Sequence, residues 1–193
     1  MKYVIASNNR SKREELQRIL SALGIEIVTA RELGHEPPEP EENGETFEAN
    51  ALIKAKAFAE VTGLPAIADD SGLCVDALGG RPGVQSARYG GDHDAQSAID
   101  LLLSELQGVP MEQRGAYFAC SMCCYWPDGK VVTAEGRCDG AIAFERQGDG
   151  GFGFDPVFLC KEGGCFGTMT DEEKDRVSHR GIALRRMAEL LAQ

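Results

Sequence analysis

Leu64-Pro65-Ala66-Ile67-Ala68-Asp69-Asp70-Ser71-Gly72 decides how the chain is read. Up to Ala68 the residues form a short apolar run of the kind that makes a buried strand. Two adjacent carboxylates follow, then a hydroxyl and a glycine. Adjacent strand residues point to opposite faces, so only one of Asp69 and Asp70 faces any given site. A strand that ends in acid puts a carboxylate at the carboxyl edge of a sheet, where open α/β sheets bind ligands. Asp, Ser and Gly are also common turn residues, and by itself Asp69-Asp70-Ser71-Gly72 reads first as a turn. The flanking sequence has to decide.

Upstream, Tyr3-Val4-Ile5-Ala6 reads as a first strand and Ser7-Asn8-Asn9-Arg10-Ser11-Lys12 as a polar turn into a helix. Ser11 with Glu14 fits a capping box. Leu16, Ile19, Leu20 and Leu23 recur at helical spacing, Gly24 ends the helix, and Ile25-Glu26-Ile27-Val28 is a second strand. Residues 34–46 form a proline-rich, acidic loop that includes Glu41 and Glu42. A helix over 46–61 packs through Phe47, Ala51, Ala55 and Phe58, with Asn50 and Lys54 on one stripe. Gly63 closes it before the opening stretch.

Downstream, a loop at Gly79-Gly80-Arg81-Pro82-Gly83 precedes a helix from Asp94 to Leu106. Two long strands, 114–126 and 130–138, are joined by the hairpin turn Pro127-Asp128-Gly129-Lys130. A further strand is expected in Ala141-Ile142-Ala143-Phe144. Thr170 with Glu173 is a second capping box, opening a short helix, and Ser178-His179-Arg180 leads into a last one. There is no internal repeat. A β-α-β start joined to antiparallel strands predicts an α/β fold with a mixed sheet.

Composition bounds the function. The 193 residues are 42% hydrophobic and 26% charged, which fits one globular domain spanning 1–193. No apolar run is long enough to span a membrane, and the N-terminus lacks a signal-peptide pattern. A cytoplasmic protein with no membrane partner is expected. The net charge of −11 argues against nucleic-acid binding, which needs a basic surface. It leaves room for a small anionic ligand met by local lysines or by a divalent cation. Seven cysteines, an odd number, read as reduced thiols. Cys120 and Cys123 have C-x-x-C spacing but lie in a strand-like run, so buried structural cysteine is preferred over zinc or redox chemistry.

Several segments could carry chemistry. The strand–turn–helix at residues 7–12 offers unpaired N–H groups at a helix start, and Lys12 adds a full charge where an oxyanion would sit. A P-loop is absent from the sequence. Magnesium needs few protein carboxylates besides phosphate oxygens, and one of Glu41 and Glu42 with one of Asp69 and Asp70 would suffice. Phe152-Gly153-Phe154-Asp155 sets aromatics beside glycine, suited to stacking on a planar base, with Asp155 an acceptor for ring N–H groups. His179-Arg180 at a helix start can donate to carbonyl oxygens. Each segment also has a plain structural reading: a capped helix, solvated loop charge, a packed turn, a core histidine.

Taken together, the chain resembles the inosine triphosphate pyrophosphatase family, enzymes that hydrolyse non-standard purine nucleoside triphosphates (ITP, dITP, XTP) to the monophosphate and pyrophosphate. The resemblance covers essentially the whole chain. It runs in order through Ser7-Asn8-Asn9-Arg10-Ser11-Lys12, Glu41-Glu42-Asn43-Gly44-Glu45-Thr46-Phe47, Asn50-Ala51-Leu52-Ile53-Lys54-Ala55, Ala68-Asp69-Asp70-Ser71-Gly72-Leu73, Pro82-Gly83-Val84-Gln85-Ser86-Ala87-Arg88-Tyr89, Gly151-Phe152-Gly153-Phe154-Asp155-Pro156 and Ser178-His179-Arg180-Gly181.

The resemblance implies roles by position. Ser7, Asn8, Asn9, Arg10, Ser11 and Lys12 match the family's phosphate-binding turn, and Lys54 its second triphosphate-contacting lysine. Glu41 and Asp70 match its magnesium ligands, Asp70 also its catalytic base, and Ser71 a substrate contact. Phe152, Gly153, Phe154, Asp155, Lys174, His179 and Arg180 resemble its purine pocket. Where the family commonly has Thr-Gly-Asn or Thr-His-Asn, this chain has Ser7-Asn8-Asn9, which keeps the first hydroxyl. The resemblance also implies an elongated mixed sheet flanked by helices, two lobes with a substrate cleft between them, and a homodimer. Competing readings are a related pyrophosphatase preferring pyrimidine or modified bases, a catalytically silent nucleotide-binding regulator, and a zinc or thiol module built on Cys120 and Cys123.

Overall fold

The computed structural model describes residues 1–91 and 94–193. Its regular elements are β1 (Lys2–Ile5), α1 (Arg10–Ala22), β2 (Glu26–Val28), α2 (Phe47–Thr62), β3 (Ala66–Val75), α3 (Ala95–Glu105), β4 (Gly115–Tyr125), β5 (Val131–Ile142), β6 (Phe158–Cys160), β7 (Gly164–Cys165), α4 (Asp171–Val177) and α5 (His179–Leu191). The strands form one seven-stranded sheet ordered β2-β1-β3-β4-β5-β6-β7. β1 runs parallel to β2 and β3, whereas β6 is antiparallel to β5 and β7. The fold is therefore α/β with a mixed sheet, as the pattern predicts.

The chain divides into two compact units. One comprises Met1–Asp70, Cys120–Gly136 and Ile182–Gln193, and the other Ser71–Ala119 and Arg137–Gly181. In the first unit, strand alternation sorts side chains into two cores. Tyr3, Ile5, Ile67, Cys120, Met122 and Cys124 pack with Leu16, Ile19 and Leu20 of α1 and with Ala183, Leu184 and Met187 of α5. Val4, Ala6, Ala66, Ala68 and Cys123 pack with Ala51, Ala55, Phe58 and Ala59 of α2. So α1 and α5 cover one face of these strands and α2 the other. The second unit has one core, in which Leu73, Val75, Phe118, Ile142 and Phe158 meet Ile99 and Leu102 of α3, Leu106 just beyond it, and Phe154 and Phe166.

Three local readings change. Asp69-Asp70-Ser71-Gly72 is not a turn: β3 runs unbroken through it to Val75. The strand pairs with β1 only at Ala66 and Ile67 and has β4 as its other hydrogen-bonded neighbour, and sheet pairing outweighs the turn preference of single residues. α1 starts at Arg10, earlier than the Ser11–Glu14 box implies, because the Asn9 side chain accepts from Lys12 N. Such a cap contributes about 1 kcal/mol, and Glu14 instead pairs with Arg10 at 2.7 Å. The expected separate strand over 141–144 is absorbed into β5, which ends at Ile142, while the short strands β6 and β7 carry no alternation long enough to read.

The second capping box is present as predicted, with Thr170 and Glu173 each satisfying the other's backbone N–H. Cys120 and Cys123 lie in opposite cores of β4, and so cannot share a metal ion or a disulfide. Burial pushes the Cys123 thiol up to about 12, so it is inert at neutral pH.

Candidate active site

Alternation along β3 sends its two central carboxylates to different helices. Asp69 has the phase of Ile67 and points toward α1, where its Oδ2 lies 3.3 Å from Lys12 Nζ. Asp70 has the phase of Ala66 and Ala68 and points toward α2. There its Oδ1 is 3.2 Å from Lys54 Nζ, and its Oδ2 accepts from Asn50 Nδ2 at 3.3 Å. Asn50 and Lys54, one helical turn apart, converge on the same carboxylate.

Asn50 also fixes the acidic loop. Its Oδ1 accepts from Gly44 N at 2.8 Å and its Nδ2 donates to Gly44 O at 3.3 Å. A side chain at Gly44 would meet Asn50 Oδ1 at 2.7 Å and Ala49 Cβ at 2.8 Å, so only glycine allows this approach. With the loop pinned there, exposure alternates from Glu41 to Gly44. Glu42 turns inward to Lys54 Nζ, 2.7 Å away. Glu41, the acid expected to hold metal, is exposed, and Glu42 is the one brought to the cluster.

The result is two ammonium groups among three carboxylates, largely out of water. Burial pushes Asp70 above the usual carboxylate range. Lys54 and Lys12 pull it down, and Asp69 and Glu42 raise it further. Burial works against the Lys54 charge, but Asp70, Asp69 and Glu42 outweigh it and hold its pKa above the ordinary lysine value. Burial is the main cause of the Asp70 shift, and the surrounding carboxylates are the cause of the Lys54 shift.

Among the described residues no three His, Cys, Asp or Glu converge into a closed metal cage. One ammonium nevertheless meets both Glu42 and Asp70, so a cation placed there would touch two carboxylates. That donor set fits magnesium, which is held by one or two carboxylates and completes its shell with water and phosphate oxygens.

The turn before α1 is stapled in place. Ser7 is buried and its Oγ accepts from Asn9 N at 3.3 Å. Asn8 Nδ2 donates to Pro38 O at 2.9 Å. Arg13, which the sequence did not single out, donates through Nη1 to Asn8 O at 2.8 Å and Ser7 O at 3.2 Å. The Arg10 side chain is exposed and engaged by Glu14; Ser11 is half-buried.

In the second unit the predicted base-facing residues form an aromatic and cationic group. Asp155 and Lys174 are both buried, with Lys174 Nζ 2.7 Å from Asp155 Oδ2. The same oxygen accepts from Phe152 N at 2.9 Å. Asp155 is thus an anchor for Lys174 as well as an acceptor. Gly151 has φ of +68°, and a side chain there would overlap the Asp155 carboxylate. Lys174 Nζ sits 4.7 Å from the Phe152 ring centroid and 5.7 Å from that of Phe166. Arg180 is buried, 5.6 Å from the Phe152 ring, and donates through Nη2 to Ser71 Oγ at 2.8 Å. The buried His179 ring stacks on Phe118, with centroids 4.6 Å apart and planes at 10°. Phe154 packs into the core and Gly153 lies in the turn before it.

Sequence reasoning missed Arg13, Phe118 and Phe166. The two phenylalanines look like any core residue of a strand or loop. Arg13 differs from other helix arginines only in what it touches.

The model of the Ham1 family matches residues 3–190. A dITP/XTP pyrophosphatase of Corynebacterium efficiens is 47% identical over 203 residues, covering 100% of this chain and 98% of that protein. A dITP/XTP pyrophosphatase of Gluconobacter oxydans is also 47% identical, over 185 residues, covering 95% of this chain and 87% of that protein. Among solved structures, a HAM1 protein from Coxiella burnetii superposes with a TM-score of 0.87 at 37% identity, covering 100% of this chain and 98% of that one.

Proposed function

The chain belongs to the Ham1 family, and on that premise we propose that it is a pyrophosphatase that hydrolyses ITP, dITP and XTP to the nucleoside monophosphate and pyrophosphate. The observation that carries this reading is the pair of lysine–aspartate contacts at adjacent residues of one strand, Lys12–Asp69 and Lys54–Asp70.

Water attack at the α-phosphorus places growing negative charge on the bridging and non-bridging oxygens. Lys12 and Lys54 supply fixed positive charge for it, in a setting dry enough to strengthen the attraction. Asp70 orients the attacking water and takes its proton. Glu42 and Asp70 would hold magnesium, which when bound neutralises phosphate charge. Ser7, Asn8, Asn9, Arg10 and Ser11 line the triphosphate-binding turn through their backbone N–H groups and polar side chains, and Ser71 adds a hydroxyl.

Base selection follows from donors. Hypoxanthine and xanthine carry a carbonyl at C6, where adenine has an amine. His179 and Arg180 reward the carbonyl, and a buried donor facing an amine is left unpaired. Phe152 offers a stacking face, and Lys174 is held beside it by Asp155. This reading includes a homodimer, as the resemblance implies, and a cytoplasmic location, consistent with the buried, disulfide-free thiols of Cys74, Cys120, Cys123, Cys124, Cys138, Cys160 and Cys165.

The test is a triphosphate panel with pyrophosphate detection, with and without magnesium. ITP, dITP and XTP are expected to be cleaved at least tenfold more efficiently than ATP, GTP, CTP and UTP, with activity lost to a chelator; the margin corresponds to about 1.4 kcal/mol of transition-state discrimination. Preference for a pyrimidine triphosphate, or no release of pyrophosphate from any of them, overturns the reading.

A further inference from the structure

The mechanism leaves one buried acid without a task. Asp69 is next to the proposed base, yet strand alternation turns it to the opposite face, toward α1. Its side chain is 0% exposed, while that of its partner Lys12 is 17% exposed. We propose that Asp69 is a positioning residue: it holds the Lys12 ammonium ready for the phosphate chain and takes no part in activating water. The proposal rests on the pyrophosphatase reading for the identity of the anion.

Three observations support it. First, Asp69 and Asp70 make their close ion pairs with different lysines. Asp70 is engaged by Lys54 and Asn50, both from α2, and Asp69 by Lys12 from α1. Strand alternation aims the two carboxylates at opposite faces, and only Asp70 is aimed at α2, where the proposed water is oriented.

Second, Asp69 does not saturate Lys12. An ammonium has three donors. The contact to Asp69 occupies one, and the partial exposure of Lys12 leaves the others open to a ligand. A free lysine side chain samples many rotamers and loses that freedom on binding. Asp69 removes most of the loss beforehand, because the four-carbon arm is already anchored.

Third, a stability role alone is a weak account of the pair. Ile67, two residues earlier on the same face, and Ile5 on the neighbouring strand pack against Leu16 and Leu20 of α1. An apolar side chain would suit that environment at least as well as a buried ion pair. Lys12 is also fixed at its backbone, where its N–H is capped by Asn9 Oδ1 at 3.1 Å. Backbone cap and side-chain tether together leave the ammonium little freedom.

The test uses the full-length protein and compares Asp69→Asn, Lys12→Met and the double variant. Two readouts are taken: steady-state kinetics with ITP, and calorimetric binding of inorganic pyrophosphate at fixed magnesium. For Asp69→Asn, KM for ITP and the pyrophosphate dissociation constant are expected to rise about tenfold, with kcat falling no further than it does in Lys12→Met. In the Lys12→Met background the same change is expected to add less than twofold, since Asp69 acts through Lys12.

A collapse of kcat on Asp69→Asn that recurs at full size in the Lys12→Met background would make Asp69 a base and overturn the proposal. So would tighter pyrophosphate binding, which would make Asp69 a mere neutraliser of Lys12. A loss of melting temperature with unchanged KM and unchanged pyrophosphate binding would make it structural. If Asp69→Asn does not fold, Asp69→Glu keeps the charge on a longer arm and is expected to weaken pyrophosphate about threefold; unchanged binding there overturns the proposal. A wild-type protein that binds pyrophosphate but cleaves no triphosphate would refute the pyrophosphatase reading and leave the calorimetric comparison to decide the role of Asp69.

Discussion

Burying the Asp70 carboxylate has a cost, and the cost has a measurable sign. Burial lifts its pKa above the ordinary carboxylate value despite two nearby ammoniums. A carboxyl whose folded pKa is raised contributes stability below its unfolded pKa, near 4, and loses that contribution as pH rises through the folded value. Asp70→Asn removes this titration. In chelator, the variant is expected to melt at or above the wild-type temperature at pH 7, and the wild type to gain on it as the pH falls toward 4. Turnover, in contrast, is expected to fall by about 10²–10⁴-fold, the usual yield of a positioned general base. Melting curves across pH, set beside initial rates, check both. Near-normal turnover would remove Asp70 from the mechanism.

Among the elements, the acidic loop over residues 34–46 and strand β3 show what the sequence could and could not say. The residue types of the site were legible: lysines beyond a strand–turn–helix, acids on a strand and in a loop, aromatics beside glycine. The i, i+4 spacing of Asn50 and Lys54 was enough to put both on one side of α2. The phase of an irregular loop was not legible, because no period governs it. What sets Glu42 inward is the grip of Asn50 on Gly44, a contact across six residues. Glu42→Gln is therefore expected to raise the magnesium concentration for half-maximal activity about tenfold or more, and Glu41→Gln to leave it unchanged; magnesium titrations of the two variants check this. The unbroken course of β3 escaped notice for a related reason. Asp-Asp-Ser-Gly is rich in turn formers, and pairing with a neighbouring strand distant in sequence overrides that preference. The Thr170–Glu173 box was read correctly because no better cap lies upstream, whereas Asn9 displaces Ser11 at the start of α1.

At the scale of the whole molecule, the chain passes from one unit to the other after residues 70, 119, 136 and 181. The last stretch matters most to the first unit, because Ala183, Leu184 and Met187 of α5 are fully buried against Tyr3, Ile5, Leu16 and Leu20. Removing three buried apolar side chains of this size costs several kcal/mol, at about 2 kcal/mol for each Leu or Met, against a total stability of about 5–15 kcal/mol. A variant ending at Gly181 is expected to lose its cooperative thermal transition and to bind a dye for exposed apolar surface. A sharp transition in calorimetry would contradict that account.

The interleaving also bears on how the protein is made. A ribosome delivers the chain from its first residue onward, and domains usually fold as they emerge. Here β1 and α1 leave the ribosome early, yet α5, which completes the core they share, is made after every other element described. The residues of β1 and α1 must wait with apolar surface uncovered until α5 has been made. An interrupted message would then yield no half-working fragment, only a polypeptide for the cell's chaperones and proteases to clear.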